Sequence, residues 1–90
     1  MSVTIRLHPF LHHLTGGQEL VEVDGRTTGE CLENLESRFP GIRQQIRDKK
    51  GQLRAYCEIL VNSESTYPNE LNTPVKDGDV IDILFIVTGG

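Results

Sequence analysis

Apolar and polar residues alternate at the start of the chain, with the period of a half-buried strand. We predict this first strand over residues 3–10, followed by a turn over residues 11–18. That turn contains Thr15-Gly16-Gly17, and paired glycines are typical of the connection in a hairpin. Alternation resumes over residues 20–23 and stops at Asp24-Gly25. The first quarter of the chain is therefore predicted to be a β-hairpin.

The next segment has the spacing of an amphipathic helix. Thr27 or Thr28 is a candidate N-cap and Glu30 suits the first helical turn. The apolar positions recur at i, i+3 and i+7, on Leu32, Leu35 and Phe39. Pro40-Gly41 should end the helix. Ile42 and Ile46 indicate one further short helical turn, and residues 48–51 are predicted to form a polar loop.

Two more strands are predicted in the second half. Residues 55–62 alternate and should form a third strand, with Cys57, Ile59 and Val61 on one side. Residues 63–75 are polar and contain two prolines, so we expect a long surface connection with at most a short edge strand around Leu71. Asp77-Gly78-Asp79 reads as a turn into residues 80–87, the most apolar run of the chain.

This order of elements predicts an α+β fold. The chain can return to the same sheet only by a right-handed crossover, which places the helix over one face. The apolar last strand is best protected at the centre, beside the first strand. We therefore expect a mixed sheet of four to five strands with one main helix on one face, the β-grasp arrangement of ubiquitin, in one domain over residues 1–90 with a flexible Gly-Gly tail.

Composition excludes several classes of function. The 90 residues suit one small domain, and no apolar run approaches the roughly 18 residues of a membrane span. The net charge of −4 argues against nucleic acid as a partner, and the basic residues of IRQQIRDKK are local to one segment with no aromatic neighbours. The alternating N-terminus lacks the pattern of a secretory signal, so a cytoplasmic location is expected.

The residues that suggest chemistry are better explained by structure. Cys31 and Cys57 fall at core positions, where a reducing compartment disfavours their pairing. His12-His13 with His8 make a poor metal site because no further ligands cluster with them, so no metal is predicted. No nucleophile, phosphate loop or acid–base pair is evident. The protein is therefore not expected to be an enzyme by itself.

A second Thr-Gly-Gly sequence ends the chain at Thr88, Gly89 and Gly90, directly after the apolar last strand. A frayed terminus is the ordinary explanation for such a tail. The rest of the chain raises the expectation of function. The amphipathic segment TTGECLENLESRFPGI, the strand ending ILVN, the KDGDVIDI turn and strand, and the terminal TGG occur in that order and spacing.

Together these segments resemble the MoaD/ThiS sulfur-carrier family over nearly the whole chain. Leu84-Phe85-Ile86 departs from the family pattern, in which one or two prolines are common there. The TGGQ turn and the long connection look more like the CysO branch, whose sulfur goes to amino-acid synthesis.

The resemblance implies a role for the tail. An E1-like enzyme would adenylate the Gly90 carboxylate with ATP, and a persulfide would then convert it into a thiocarboxylate. A sulfur-accepting enzyme of cysteine or homocysteine, molybdopterin or thiazole biosynthesis would be the second partner, and no cofactor would be bound by the chain itself. Gly89 and Gly90 would let the tail enter a narrow channel, since glycine lacks a Cβ, and Thr88 would keep strand geometry and fix the point from which the tail departs.

The sheet face opposite the helix is the expected docking surface. If Ile81 and Ile83 point inward, Leu84 points outward, with Leu60 near it and Tyr56 and His8 at the margins. Ubiquitin-like proteins dock through this face, so the resemblance supports the same role here.

Two alternatives stay open. An ubiquitin-like modifier would use the same activation but would join Gly90 to protein lysines. A plain interaction module would have an incidental tail, whose removal would leave its function unchanged.

Overall fold

The computed structural model describes residues 2–86, and these form a five-stranded mixed sheet with two helices packed on one face. The strands are β1 (Ser2–Leu7), β2 (Leu20–Asp24), β3 (Cys57–Val61), β4 (Glu64–Ser65) and β5 (Val80–Phe85). The helices are α1 (Thr28–Arg38) and α2 (Gly41–Ile46), and a 3-10 helix spans Pro9–Leu14. The predicted α+β architecture is confirmed as the ubiquitin-like β-grasp fold.

The spatial order of the strands is β2-β1-β5-β3-β4. β1 runs antiparallel to β2 and parallel to β5, and β3 runs antiparallel to β5. The most apolar strand is therefore central, as predicted, because both of its edges are paired and one of its faces is covered.

The core lies between the sheet and the helices. Ile81 and Ile83 of β5 are fully buried, as are Leu32 and Leu35 of α1. Strand alternation accounts for this, because odd-numbered residues of β1, β2, β3 and β5 face the helices. The predicted inward positions of the last strand are confirmed.

Helix α1 begins where the sequence predicts. The Thr27 hydroxyl accepts a hydrogen bond from the Glu30 backbone N–H at 3.1 Å, and the Glu30 carboxylate accepts one from the Arg26 N–H at 3.1 Å. The first bond satisfies a donor that the first turn leaves unpaired, and the second joins the Glu30 side chain to the residue before the cap. Two turns predicted from glycine are also present: Gly16 and Gly17 have φ of 67° and 88°, and Gly78 has φ of 88°.

Two predicted strand positions are wrong. The first strand ends at Leu7 and not at residue 10, because Pro9 starts the 3-10 helix and the His8 Nδ1 accepts a hydrogen bond from the Phe10 N–H at 3.1 Å. The short edge strand is Glu64–Ser65 and not around Leu71. The Leu71 carbonyl instead accepts a hydrogen bond from the Gly29 N–H at 3.0 Å. A side chain on Gly29 would collide with that carbonyl.

The long connection is held against the rest of the fold. The buried Thr66 donates its hydroxyl to the Ile59 carbonyl at 2.7 Å, and the Thr28 N–H donates to the Thr73 carbonyl at 2.9 Å. Val75 is buried in the core. These contacts fix the connection to β3 at one end and to the start of α1 at the other. No helix within residues 2–86 is long and apolar enough to cross a membrane.

Candidate functional site

The predicted reacting residue Gly90, with Thr88 and Gly89, lies outside the described residues. The described chain stops at Ile86, one residue after β5. The Ile86 N–H donates to the Tyr56 carbonyl at 2.7 Å, so pairing with the β3 side continues to that residue. The tail therefore starts from a fixed point, at the end of the sheet where β1 finishes and β3 begins.

Aromatic rings surround this point. The Phe85 ring centroid lies 5.3 Å from His8, 5.9 Å from Phe10 and 5.9 Å from Tyr56, and His8 and Phe10 are 4.4 Å apart. We call these four residues the ring cluster. Phe10 is 61% exposed and Tyr56 is 46% exposed, and Ile86 beside them is 49% exposed. This much exposed apolar surface at one place is typical of an interaction site.

His8 and Tyr56 each make one further hydrogen bond through their side chains. His8 caps the 3-10 helix through its Nδ1 atom. The Tyr56 hydroxyl donates to the Gln45 carbonyl at the end of α2, at 3.4 Å. The sequence places both residues at the margins of the open face. The structure gathers them around Phe85, a residue on the helix side of β5 that lies opposite Cys57.

Leu60 and Leu84 do share the open face, and both are half-buried. They are not directly opposite each other. In the register of β3 and β5, Leu84 faces Glu58 and Leu60 faces Asp82, so the two leucines are diagonal neighbours. Such neighbours lie about 7–8 Å apart, within reach of one bound side chain.

An ion pair lies at the centre of the open face. Arg6 donates to the Asp82 carboxylate through Nε at 2.5 Å and through Nη2 at 3.0 Å. The Asp82 side chain is 9% exposed although no helix covers it. The hydrogen bonds and the charge of Asp82 raise the pKa of Arg6, so the guanidinium stays charged. The open face therefore combines two aliphatic side chains with a fixed charge pair.

Neither cysteine has the properties of a nucleophile. Cys31 and Cys57 are buried and unpaired. Burial raises the pKa of the Cys57 thiol to about 11, and burial, followed by the charges of Glu30 and Asp24, raises the pKa of Cys31. Both thiols are therefore protonated at neutral pH, whereas a nucleophile must be a thiolate.

Sequence reasoning missed Phe10, Phe85 and Ile86 at the exit of the tail, and it missed the Arg6–Asp82 pair. A signal for the pair exists, because Arg6 and Asp82 are polar residues at outward positions of two strands expected to be adjacent. No comparable signal exists for the ring cluster, whose members come from three separate segments.

Comparisons with known proteins show which family this chain resembles. Residues 5–90 match the model of the ThiS family. The sulfur carrier protein CysO of Mycobacterium tuberculosis is 36% identical over 93 residues, which cover 100% of both chains. A chain in the crystal structure of the Amycolatopsis orientalis BexX/CysO complex matches at a TM-score of 0.87 and 35% identity, covering 98% of this chain and 99% of that one.

The chain is also similar in structure to a small archaeal modifier protein. The small archaeal modifier protein 1 (SAMP1) of Methanosarcina acetivorans matches at a TM-score of 0.83 and 27% identity, covering 99% of this chain and 96% of that one. The family match covers nearly the whole sequence, and the CysO relative matches it end to end. The chain therefore belongs to the ThiS family of sulfur-carrier proteins, which act as carriers and not as catalysts.

Proposed function

We propose that this chain carries sulfur as a thiocarboxylate on Gly90 and supplies it to amino-acid synthesis. The observation that carries the proposal is the end-to-end similarity to CysO, together with a Gly-Gly terminus that follows the central strand by a few residues. The proposed compartment is the cytoplasm, where reducing conditions suit two buried, unpaired thiols.

The chemistry explains why a partner must act first. A carboxylate is a poor electrophile because its charge is delocalised and oxide does not leave. An E1-like enzyme would join the Gly90 carboxylate to AMP from ATP and release pyrophosphate. A persulfide sulfur would then attack the carbonyl carbon and expel AMP, and a second thiol would cleave the S–S bond. The chain would leave with a C-terminal thiocarboxylate, and the thiols would leave as a disulfide.

The fold would contribute a fixed starting point for the tail and a surface for docking. Ordering each residue of a free tail costs roughly 1–2 kcal/mol, so docking elsewhere must supply that free energy. The open face around Leu60 and Leu84 and the ring cluster around Phe85 offer apolar area for this purpose. The BexX/CysO complex shows that a similar chain assembles with another protein. We propose two partners here, the activating enzyme and a sulfur-accepting enzyme.

The test compares the full chain with a chain that ends at Gly89. Both would be incubated with the activating enzyme, ATP and a persulfide source, and both would be unfolded thermally. We expect sulfur uptake only by the full chain, with the same unfolding temperature for both, because the residue lies beyond the last strand. Equal sulfur uptake by the two chains would disprove a role for Gly90.

Similarity to the archaeal modifier favours one second candidate, conjugation of Gly90 to lysine amines of other proteins. Both functions start from the same adenylate, so only the fate of the acyl group separates them. Lysines of cell protein would carry the tryptic remnant of residues 77–90 only if the chain is a modifier, because Lys76 is the last tryptic site before Gly90. Their absence, with thiocarboxylate present, would leave the sulfur carrier alone.

A further inference from the structure

The charges of this acidic protein are unevenly distributed. The net charge is −4, yet residues 43–54 contain five of the nine basic residues and only one of the 13 acidic ones. This segment comprises the end of α2 and the loop before β3. The remaining residues are strongly acidic.

Part of this positive charge is neutralised within the fold. Arg47 is buried and donates through Nε to the Glu36 carboxylate at 2.6 Å, and Arg43 lies 3.4 Å from the same carboxylate. Asp48 accepts hydrogen bonds from the Lys50 and Gln52 backbone N–H groups, at 2.8 and 3.0 Å. The Glu36 carboxylate thus binds two arginine side chains, and the Asp48 carboxylate accepts hydrogen bonds from the backbone of a turn.

The other three cations of this segment have no acidic side chain bound to them among the described residues. Lys49 and Lys50 are exposed and belong to none of the ion pairs found among residues 2–86. Arg54 donates to the neutral Gln44 carbonyl at 3.2 and 3.1 Å, and it forms no ion pair within residues 2–86. With the half-exposed Arg43 these residues form what we call the basic face. They line or border a shallow concavity of about 640 Å³.

The basic face lies at the end of the molecule from which the tail departs. It directly precedes β3, whose first residue, Cys57, is opposite Phe85. Arg54 and Ile86 line one groove of about 730 Å³, and the Tyr56 hydroxyl contacts the last turn of α2. Arg54 is therefore next to the exposed side chain of Ile86, and Arg43 and Lys49 share a concavity with Arg54.

We propose that the basic face binds an acidic surface beside the tail-binding channel of the activating enzyme. This inference rests on the proposed function, since it assigns the partner of that same tail. Charge complementarity argues for an acidic partner, and the adjacent apolar side chains argue for a protein. Nucleic acid is disfavoured because the acidic remainder of the chain repels phosphate. Binding at this place orients the carrier with Gly90 toward the channel.

We expect the basic face to act mainly on the rate at which the carrier associates with the activating enzyme. Complementary charge accelerates protein association by 10 to 1,000-fold at low salt, and the effect falls steeply as salt is added. Reversing two of the four cations should therefore raise KM for the carrier at least about tenfold. The value of kcat should not change, because no cation of the basic face takes part in the reaction at Gly90.

The experiment measures thiocarboxylation kinetics of three variants with the activating enzyme. Lys49→Glu/Lys50→Glu reverses two exposed charges that make no side-chain hydrogen bonds among the described residues. The matched control, Arg26→Glu/Lys76→Glu, changes the net charge equally but at exposed positions toward the opposite end of β5. Lys49→Gln/Lys50→Gln removes the charge without reversing it.

We expect KM to rise at least tenfold for the first variant, by less for the glutamine variant, and little for the control. The difference should disappear near 1 M salt, where screening acts within about 3 Å. An unchanged KM for both lysine variants, or an equal rise in the control, would overturn the proposal. So would binding of a single-stranded DNA oligonucleotide that the lysine variants lose. Failure of the unmodified chain to gain sulfur would instead count against the proposed function.

Discussion

Two adjacent residues of β5 should respond in opposite ways to the same substitution. Ile83 is fully buried under the helices, and Leu84 is half-buried on the open face. Ile83→Arg should unfold the domain. Leu84→Arg should leave it folded but weaken its binding to the activating enzyme.

The magnitudes follow from the surroundings of each residue. At position 83 the change loses about 1.5–3 kcal/mol of apolar burial and adds several kcal/mol for an unpaired buried charge. The sum is comparable to the whole stability of a small domain, about 5–15 kcal/mol. At position 84 the new guanidinium lies opposite Glu58 and two residues from Asp82, so a cross-strand ion pair offsets part of the loss. The free energy of unfolding should change by less than about 1 kcal/mol.

The expected loss of binding comes from removing an apolar anchor. An aliphatic side chain in a desolvated interface contributes about 1–3 kcal/mol, and 1.4 kcal/mol corresponds to a tenfold change in affinity. Leu84→Arg should therefore weaken binding at least about tenfold. Urea unfolding followed by circular dichroism, and calorimetric titration with the activating enzyme, measure the two quantities on one preparation.

Leu84→Ala serves as the milder control, because it removes the anchor without adding a charge. Unchanged affinity in both Leu84 variants would refute the open face as a docking surface, and recognition would then rest on the ring cluster and the tail. If Leu84→Arg unfolds the protein and Ile83→Arg does not, the assignment of inward and outward residues in β5 is wrong.

Three further predictions concern stability and reactivity. Thr27→Ala should lower the free energy of unfolding by about 1 kcal/mol, because it removes the cap on the Glu30 N–H, whereas Thr27→Ser should retain it; urea titrations decide this. Hydrogen bonds from the Asn62 side chain and a backbone N–H lower the pKa of Asp79. The Asp79 carboxylate therefore contributes to the free energy of unfolding above the unfolded pKa, near 3.9, and this contribution is lost as pH falls through the lower folded pKa. Asp79→Asn should therefore destabilise the fold more at pH 7 than at pH 3, and equal losses would contradict the assignment. Since burial raises the pKa of Cys57 to about 11, iodoacetamide at pH 8 should label it slowly until urea unfolds the chain, and rapid labelling without urea would contradict this.

The sequence predicts those parts of the fold whose causes are local. The period of β1 and β2, the Thr27 cap and the apolar run of β5 each express one physical rule over a few residues, and the structure confirms them. Central placement of β5 also follows, because an apolar strand needs two paired edges.

The sequence does not predict features that depend on distant segments meeting. Leu71 is apolar and is predicted to lie in an edge strand, yet its carbonyl accepts a hydrogen bond from the Gly29 N–H at the start of α1. The two segments can approach because Gly29 has no side chain. Pro9 ends β1 early, and the 3-10 helix that follows has no strong periodic signal. The ring cluster requires contacts among residues from the ends of β1, β5 and the loop before β3.

The candidate site also has some features that the sequence predicts and others that it does not. The outward positions of Leu60 and Leu84 follow from alternation, but their diagonal offset depends on the register between β3 and β5. The position of the basic segment beside the tail depends on the same pairing. Neither register nor strand order can be read from spacing within one segment.

The position of the sulfur tests the central claim most directly. After incubation with the activating enzyme, ATP and a persulfide source, the intact mass should show one oxygen replaced by sulfur. Alkylation of the folded protein followed by fragmentation should place the label on Gly90, with Cys31 and Cys57 unmodified. A sulfur adduct confined to either cysteine would contradict the account and identify the chain as a persulfide carrier.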